Sequence, residues 1–101
     1  MTIEPTLCET MADVRAGVDG ADAALVALLS QRFAYMAAAA RIKTDRTAVR
    51  DEARKAQVIA NVKAHARASG VPEALVAALW EMLIESSIAY EMALFDAQEK
   101  A

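Results

Sequence analysis

The chain is short of the residues that cross-link a polypeptide or bind metals. Its 101 residues include one cysteine, Cys8, and one histidine, His65. A lone cysteine makes no internal disulfide and no thiolate metal site. A lone histidine provides no two-histidine metal motif. We therefore expect neither a structural disulfide nor a bound metal.

Aromatic residues and charge of one sign are also scarce. Aromatics make up 5% of the chain, and the formal net charge is −3. A β-sandwich or barrel requires many β-branched or aromatic residues and many turns. A nucleic-acid binder is typically strongly basic. The cations between residues 41 and 55 are interleaved with acidic residues rather than aromatics. We therefore expect neither an all-β fold nor nucleic-acid binding.

Long uncharged apolar runs are missing as well. No stretch of about 18 uncharged apolar residues is present, so we expect no membrane contact. The first residues have neither the basic region nor the apolar region of a secretory signal. These absences predict a cytoplasmic protein.

What is abundant is alanine, the best helix former, and the pattern predicts an all-α fold. Gly70 and Pro72 form the strongest break in the chain. Glycine is favoured just after the end of a helix, and proline is favoured in the first turn of the helix that follows. We predict one long and two shorter helices, over about 10–43, 51–68 and 72–98. Pro5 indicates an extended tail, so the tail is placed at 1–9 and a single helical domain at 10–101.

The first predicted helix is too long for a lone domain of this size. At about 1.5 Å per residue it extends roughly 45–50 Å. Its apolar residues recur at steps of three and four, which is typical of a buried stripe: Val14, Val18, Ala21, Leu25, Leu28, Leu29 and Met36. Such a rod requires a partner along its length, so we expect a second copy of the chain.

Three cations on this helix are candidate ligands for an anion. Arg32 and Lys43 are eleven residues apart, which places them on one face and roughly 16 Å apart. Either the two side chains bind a small anion between them, or both charged groups are solvated while their aliphatic parts cover apolar surface. Arg15 is about 25 Å from Arg32 along the helix, so it can serve the same ligand only from a second copy.

Polar residues of the later helices complete the candidate set. Asp51 shares a helix face with Arg54 and Lys55. Ser87 and Glu91 are four residues apart in an otherwise mostly apolar run. The Glu91 carboxylate either lies at the helix surface or is buried.

An ordered set of these residues resembles the all-helical class of chorismate mutases. The segment Met11-Ala-Asp-Val-Arg15, followed by Asp19, Asp22, Leu28, Arg32 and Lys43, resembles the long first helix of that class. Val49-Arg50-Asp51 resembles the start of its second helix, and residues 82–91 resemble its third. Within the class, Arg32 with Tyr35, Ala38-Ala39, Arg41 and Lys43 looks like the isochorismate pyruvate-lyase branch.

The resemblance implies an intertwined helical homodimer with shared active sites and no cofactor. It implies catalytic roles for Arg32, Lys43 and Glu91. It implies substrate binding by Arg15 from the partner chain and by Asp51, Arg54, Lys55 and Ser87. The implied substrate is a small dicarboxylate, which guanidinium groups grip bidentately.

Two positions depart from the pattern of the best-known bacterial members. Lys55 stands where many have a glutamate that accepts from the substrate hydroxyl, and Glu91 stands where many have a glutamine that donates to the ether oxygen. A glutamate must carry a proton to donate there.

The leading functional hypothesis is chorismate mutase, which rearranges chorismate to prephenate. The alternatives are an isochorismate pyruvate-lyase that forms salicylate and pyruvate, and a non-catalytic helical dimer or binding module.

Overall fold

The computed structural model describes residues 2–99, which form three α-helices and two short 3₁₀ turns. The helices are α1 (Met11–Ile42), α2 (Glu52–Ser69) and α3 (Glu73–Glu99). These residues contain no strand, so the all-α prediction is confirmed. The predicted helix ends agree to within about a residue. Met1 and residues 100–101, the outer ends of the predicted tail and domain, lie outside the described residues.

A reciprocal capping arrangement starts α1. The Thr10 hydroxyl accepts from the Asp13 N–H at 3.1 Å. The Asp13 carboxylate accepts from the N–H groups of Glu9 and Thr10, at 3.0 and 3.2 Å. These bonds satisfy backbone donors that a helix start leaves without partners. The backbone N–H of Glu9 above all holds the pKa of Asp13 below its usual value.

The N-terminal tail is not simply extended, as Pro5 had suggested. Pro5–Leu7 form a 3₁₀ turn, closed by the Leu7 N–H on the Glu4 carbonyl at 2.9 Å. Proline fixes the φ angle that such a turn requires. The tail lies over the first turns of α1 and leaves a groove of about 420 Å³ beside Val14. A Cβ at Gly20 would be 3.1 Å from the Thr2 methyl, so glycine permits this close approach.

The chain divides into two compact units, and the division falls within α1. The first unit ends at Tyr35 and the second begins at Met36. In the first unit the apolar stripe of α1 is uncovered: Val14, Val18, Leu25, Leu28 and Leu29 are 38–60% exposed. Within α1, Ala40 is the one buried residue. The predicted buried stripe is therefore not buried by the single chain.

By length and composition alone, α1 is apolar enough to cross a membrane. The core helix of a soluble protein meets the same criterion of length and composition. Asp22, Arg32 and Arg41 divide its apolar runs, and an ionised side chain in a bilayer is costly. The absence of a membrane contact stays a prediction.

The second unit contains the core that positions the site. α2 and the 3₁₀ turn Arg46–Ala48 pack against α3. Ala40, Val49 and Phe95 are buried together, with Ile88 and Met92 packed against them. The core therefore joins the end of α1, the entry to α2 and the last turns of α3.

Gly70 sets the reversal between α2 and α3. Its φ of 72° is left-handed, and its N–H donates to the carbonyls of Ala66 and Arg67. Glycine adopts this conformation without the steric cost that a Cβ would bring. The predicted break at 69–72 is confirmed, and the turn brings the two helices alongside each other.

Candidate active site

An ion pair between a half-buried lysine and a buried glutamate joins the end of α1 to α3. The Lys43 Nζ donates to the Glu91 Oε2 at 2.7 Å, and the side chains are 30% and 5% exposed. A lysine this close favours an acceptor role for the carboxylate. Of the two positions left open for Glu91, the surface one is wrong. Phe95, one turn further along α3, is part of the buried core.

Ser87 lies one turn before Glu91 on α3 and is also buried. Its hydroxyl donates to the Leu83 carbonyl at 2.7 Å. This bond satisfies the hydroxyl within its own helix, a common arrangement for serine. Its predicted contact with substrate stays a prediction.

The N-terminus of α2 carries the predicted substrate-binding residues. Asp51 caps the helix, since its carboxylate accepts from the Arg54 N–H at 3.0 Å. The Arg54 guanidinium is exposed and donates to the Gln57 side-chain oxygen at 2.6 Å. Asp51 therefore has a structural role that the sequence analysis did not assign to it.

Lys55 is bound by two carboxylates of α3. Its Nζ donates to Glu81 at 2.6 Å and to Glu85 at 2.9 Å, and its side chain is 18% exposed. These contacts raise the pKa of Lys55, Glu81 contributing most. Lys55 is thus held by Glu81 and Glu85, while the partner of Glu91 is Lys43.

Glu85 is the centre of this network. Its two oxygens accept from Arg50 at 2.6 and 3.2 Å, and one of them also accepts from Lys55. The bonds from Arg50, followed by those from Lys55, hold the pKa of Glu85 at about 2. Hydrogen bonds to Glu85, followed by those to Glu52, raise the pKa of Arg50.

The network of Arg50, Glu81 and Glu85 was not predicted from the sequence. One signal was present: Glu81 and Glu85 are four residues apart, so they share a face of α3. Two carboxylates on one face can bind cations of a neighbouring element, but the sequence does not specify which ones.

Arg15 and Arg32 belong to the first unit. Arg15 is exposed and Arg32 is half-buried. Lys43, Asp51, Arg54, Lys55, Ser87 and Glu91 lie in the second unit. Among the described residues, the second unit thus contains the Lys43–Glu91 ion pair and a cationic start of α2.

Comparison with known protein families identifies the family of this chain. A family model described as chorismate mutase type II matches residues 14–92, which is most of the chain and includes every predicted site residue. The chain belongs to this family. No curated protein gave a match. Membership confirms the resemblance to the all-helical class and supports chorismate mutase activity, an isomerase reaction, at the level of the family.

Proposed function

We propose that the protein is a chorismate mutase that rearranges chorismate to prephenate. The ion pair between Lys43 and the buried Glu91, inside a region matched by the family, carries the proposal. The Claisen rearrangement is concerted, so it requires no nucleophile and no cofactor. The protein has to hold a dicarboxylate in a compact conformer and stabilise charge on the ether oxygen as the bond breaks.

Lys43 is the proposed donor to that ether oxygen. A lysine ammonium has three donors, and Glu91 accepts from one of them. The side chain remains 30% exposed, so a ligand can reach it. Its interaction with the oxygen strengthens as negative charge develops, and that difference accelerates the reaction.

The carboxylates of the substrate are assigned to arginines. Arg32 of the same chain and Arg15 of a second chain form the proposed clamp, with Arg54 and Lys55 at the start of α2. Asp51 and Ser87 are retained as substrate contacts. The uncovered stripe of α1, including Val18 and Leu28 at 52% and 60% exposure, supports a homodimer, because a second α1 would remove that apolar surface from water.

Two incubations test the proposal directly. Purified protein is given chorismate in one and isochorismate in the other, and the products are identified by chromatography and mass spectrometry. We expect prephenate from chorismate, and a large loss of rate in Lys43→Met. Salicylate and pyruvate from isochorismate, without prephenate, would instead identify a lyase.

A non-catalytic binding module would give a third result in these incubations. It would turn over neither compound, and no dicarboxylate would raise its melting temperature. The proposed enzyme is stabilised by a bound dicarboxylate, because a ligand that binds only the folded state raises the free energy of unfolding.

A further inference from the structure

We propose that Glu85 is a positioning residue that holds the first turn of α2 in the geometry the active site requires. This inference rests on the proposed function, since it assigns a task within that site. Glu85 has no proposed contact with substrate. It acts through Arg50 and Lys55.

The contacts of Glu85 bracket the helix start. Arg50 directly precedes the cap residue Asp51, and Lys55 follows that cap by one turn. Both cations donate to the one Glu85 carboxylate, over 2.6–3.2 Å. The residues between them, with Asp51 and Arg54, are therefore fixed to α3 from both sides.

The network is suited to orientation rather than to bulk stability. The Arg50 and Glu85 side chains are 44% and 42% exposed, and exposed ion pairs contribute little to the free energy of unfolding. A bidentate arginine–carboxylate contact nevertheless fixes direction as well as distance. A small displacement of a substrate-binding group can lower the reaction rate strongly. The contact between Arg50 and Glu85 can therefore affect activity even though it contributes little to stability.

Glu85 also determines how Lys55 presents its charge. Lys55 has three donors, of which Glu81 and Glu85 accept two. The ammonium is held at 18% exposure instead of extending into solvent. One of its three donors then remains for the proposed contact with substrate, on an ammonium that two glutamates hold in place.

Glu73 provides a matched control for Glu85. It also lies on α3, binds Arg67 in the last turn of α2, and is 35% exposed against 42% for Glu85. Its ion pair joins the end of α2 to the start of α3. Glu73→Gln therefore removes the same charge and one ion pair between these elements, at the end of α2 away from its first turn.

The kinetic experiment compares Glu85→Gln, Arg50→Gln, their double variant and Glu73→Gln. We expect the first two to raise KM for chorismate about tenfold while kcat changes less than about threefold. The double variant should be no worse than the more affected single variant, because both remove the same contact. Glu73→Gln should leave both constants unchanged. Equal KM values for Glu85→Gln and Glu73→Gln would overturn the proposal.

Hydrogen exchange gives a second readout that does not depend on turnover. The amides of Arg54 and Lys55, bonded to the Asp51 side chain and carbonyl, should exchange faster in Glu85→Gln and at the wild-type rate in Glu73→Gln. Unchanged exchange in both variants would overturn the positioning role. If the wild type converts neither chorismate nor isochorismate, the proposed function fails, and the exchange data still decide whether Glu85 holds the turn.

Discussion

At the scale of single residues, Glu91 is a buried carboxylate with a lysine as its partner. The fold buries a carboxylate at 5% exposure and gives it one lysine at 2.7 Å. In the proposed mechanism Glu91 accepts from the Lys43 ammonium and orients it toward the ether oxygen. A side-chain amide can perform the same task, since its oxygen also accepts.

Glu91→Gln should therefore keep kcat/KM within about tenfold of the wild type, whereas Glu91→Leu should lose about 10²–10³-fold. Leucine is similar in size but leaves the Lys43 ammonium without its acceptor. Steady-state kinetics measure the difference, and circular dichroism establishes that both variants are folded. A folded but inactive Glu91→Gln protein would show that the negative charge itself is required.

At the scale of elements, the contact between α2 and α3 depends on a backbone conformation and on charge. Gly70 has a φ of 72°, a backbone conformation that is strained for a residue with a Cβ. A Cβ added there would meet no atom within 4 Å, so the cost of a substitution comes from the backbone conformation. Gly70→Ala should lower the free energy of unfolding by about 1 kcal/mol. Gly70→Asn should lose less, since asparagine tolerates this region. Urea denaturation compares the two, and equal losses would contradict the conformational explanation.

Acid should weaken the same helix pair through Glu85. Its pKa is about 2 in the folded protein against an ordinary value of 4.5, so its stabilisation is complete above about pH 5. It is lost as the pH falls toward 2. The difference in Tm between wild type and Glu85→Gln should thus narrow from pH 5 to pH 2. A constant difference over this range would mean that Arg50 and Lys55 do not depress that pKa.

At the scale of the whole molecule, the exposed stripe of α1 predicts a homodimer. A second chain would cover Leu25 and Leu28, which are 58% and 60% exposed in the single chain. We expect light scattering at micromolar concentration to give twice the chain mass. A well-folded, monodisperse monomer would contradict the prediction and would remove the source of Arg15 for the proposed site.

Complementation tests whether two chains share each site. Arg15→Ala and Arg32→Ala should each lose about 2–5 kcal/mol of transition-state binding. After mixing and re-equilibration, about half of the dimers pair the two variants and contain one intact site, so about a quarter of wild-type activity should return. A mixture of Arg32→Ala with Lys43→Met is the control. Both residues belong to the same chain's site, so no activity should return.

Local features of this protein could be read from its sequence. The three helices, their ends and the reversal at Gly70 follow from alanine content, apolar spacing and a single Gly–Pro break, because helix formation depends on residues within a few positions of each other. The family resemblance followed from the order of cations from Arg15 to Arg54, which is also a linear property.

Tertiary structure alone decided which charges meet. Lys43 and Glu91 are 48 residues apart, and Lys55 meets Glu81 and Glu85 across 26 and 30 residues. Such contacts depend on the rotation of α3 against its neighbours, which the packing of Val49 and Phe95 fixes. Spacing along one helix shows which residues share a face but not what that face meets, so the burial of Glu91 and the network of Glu85 appeared only in the folded chain.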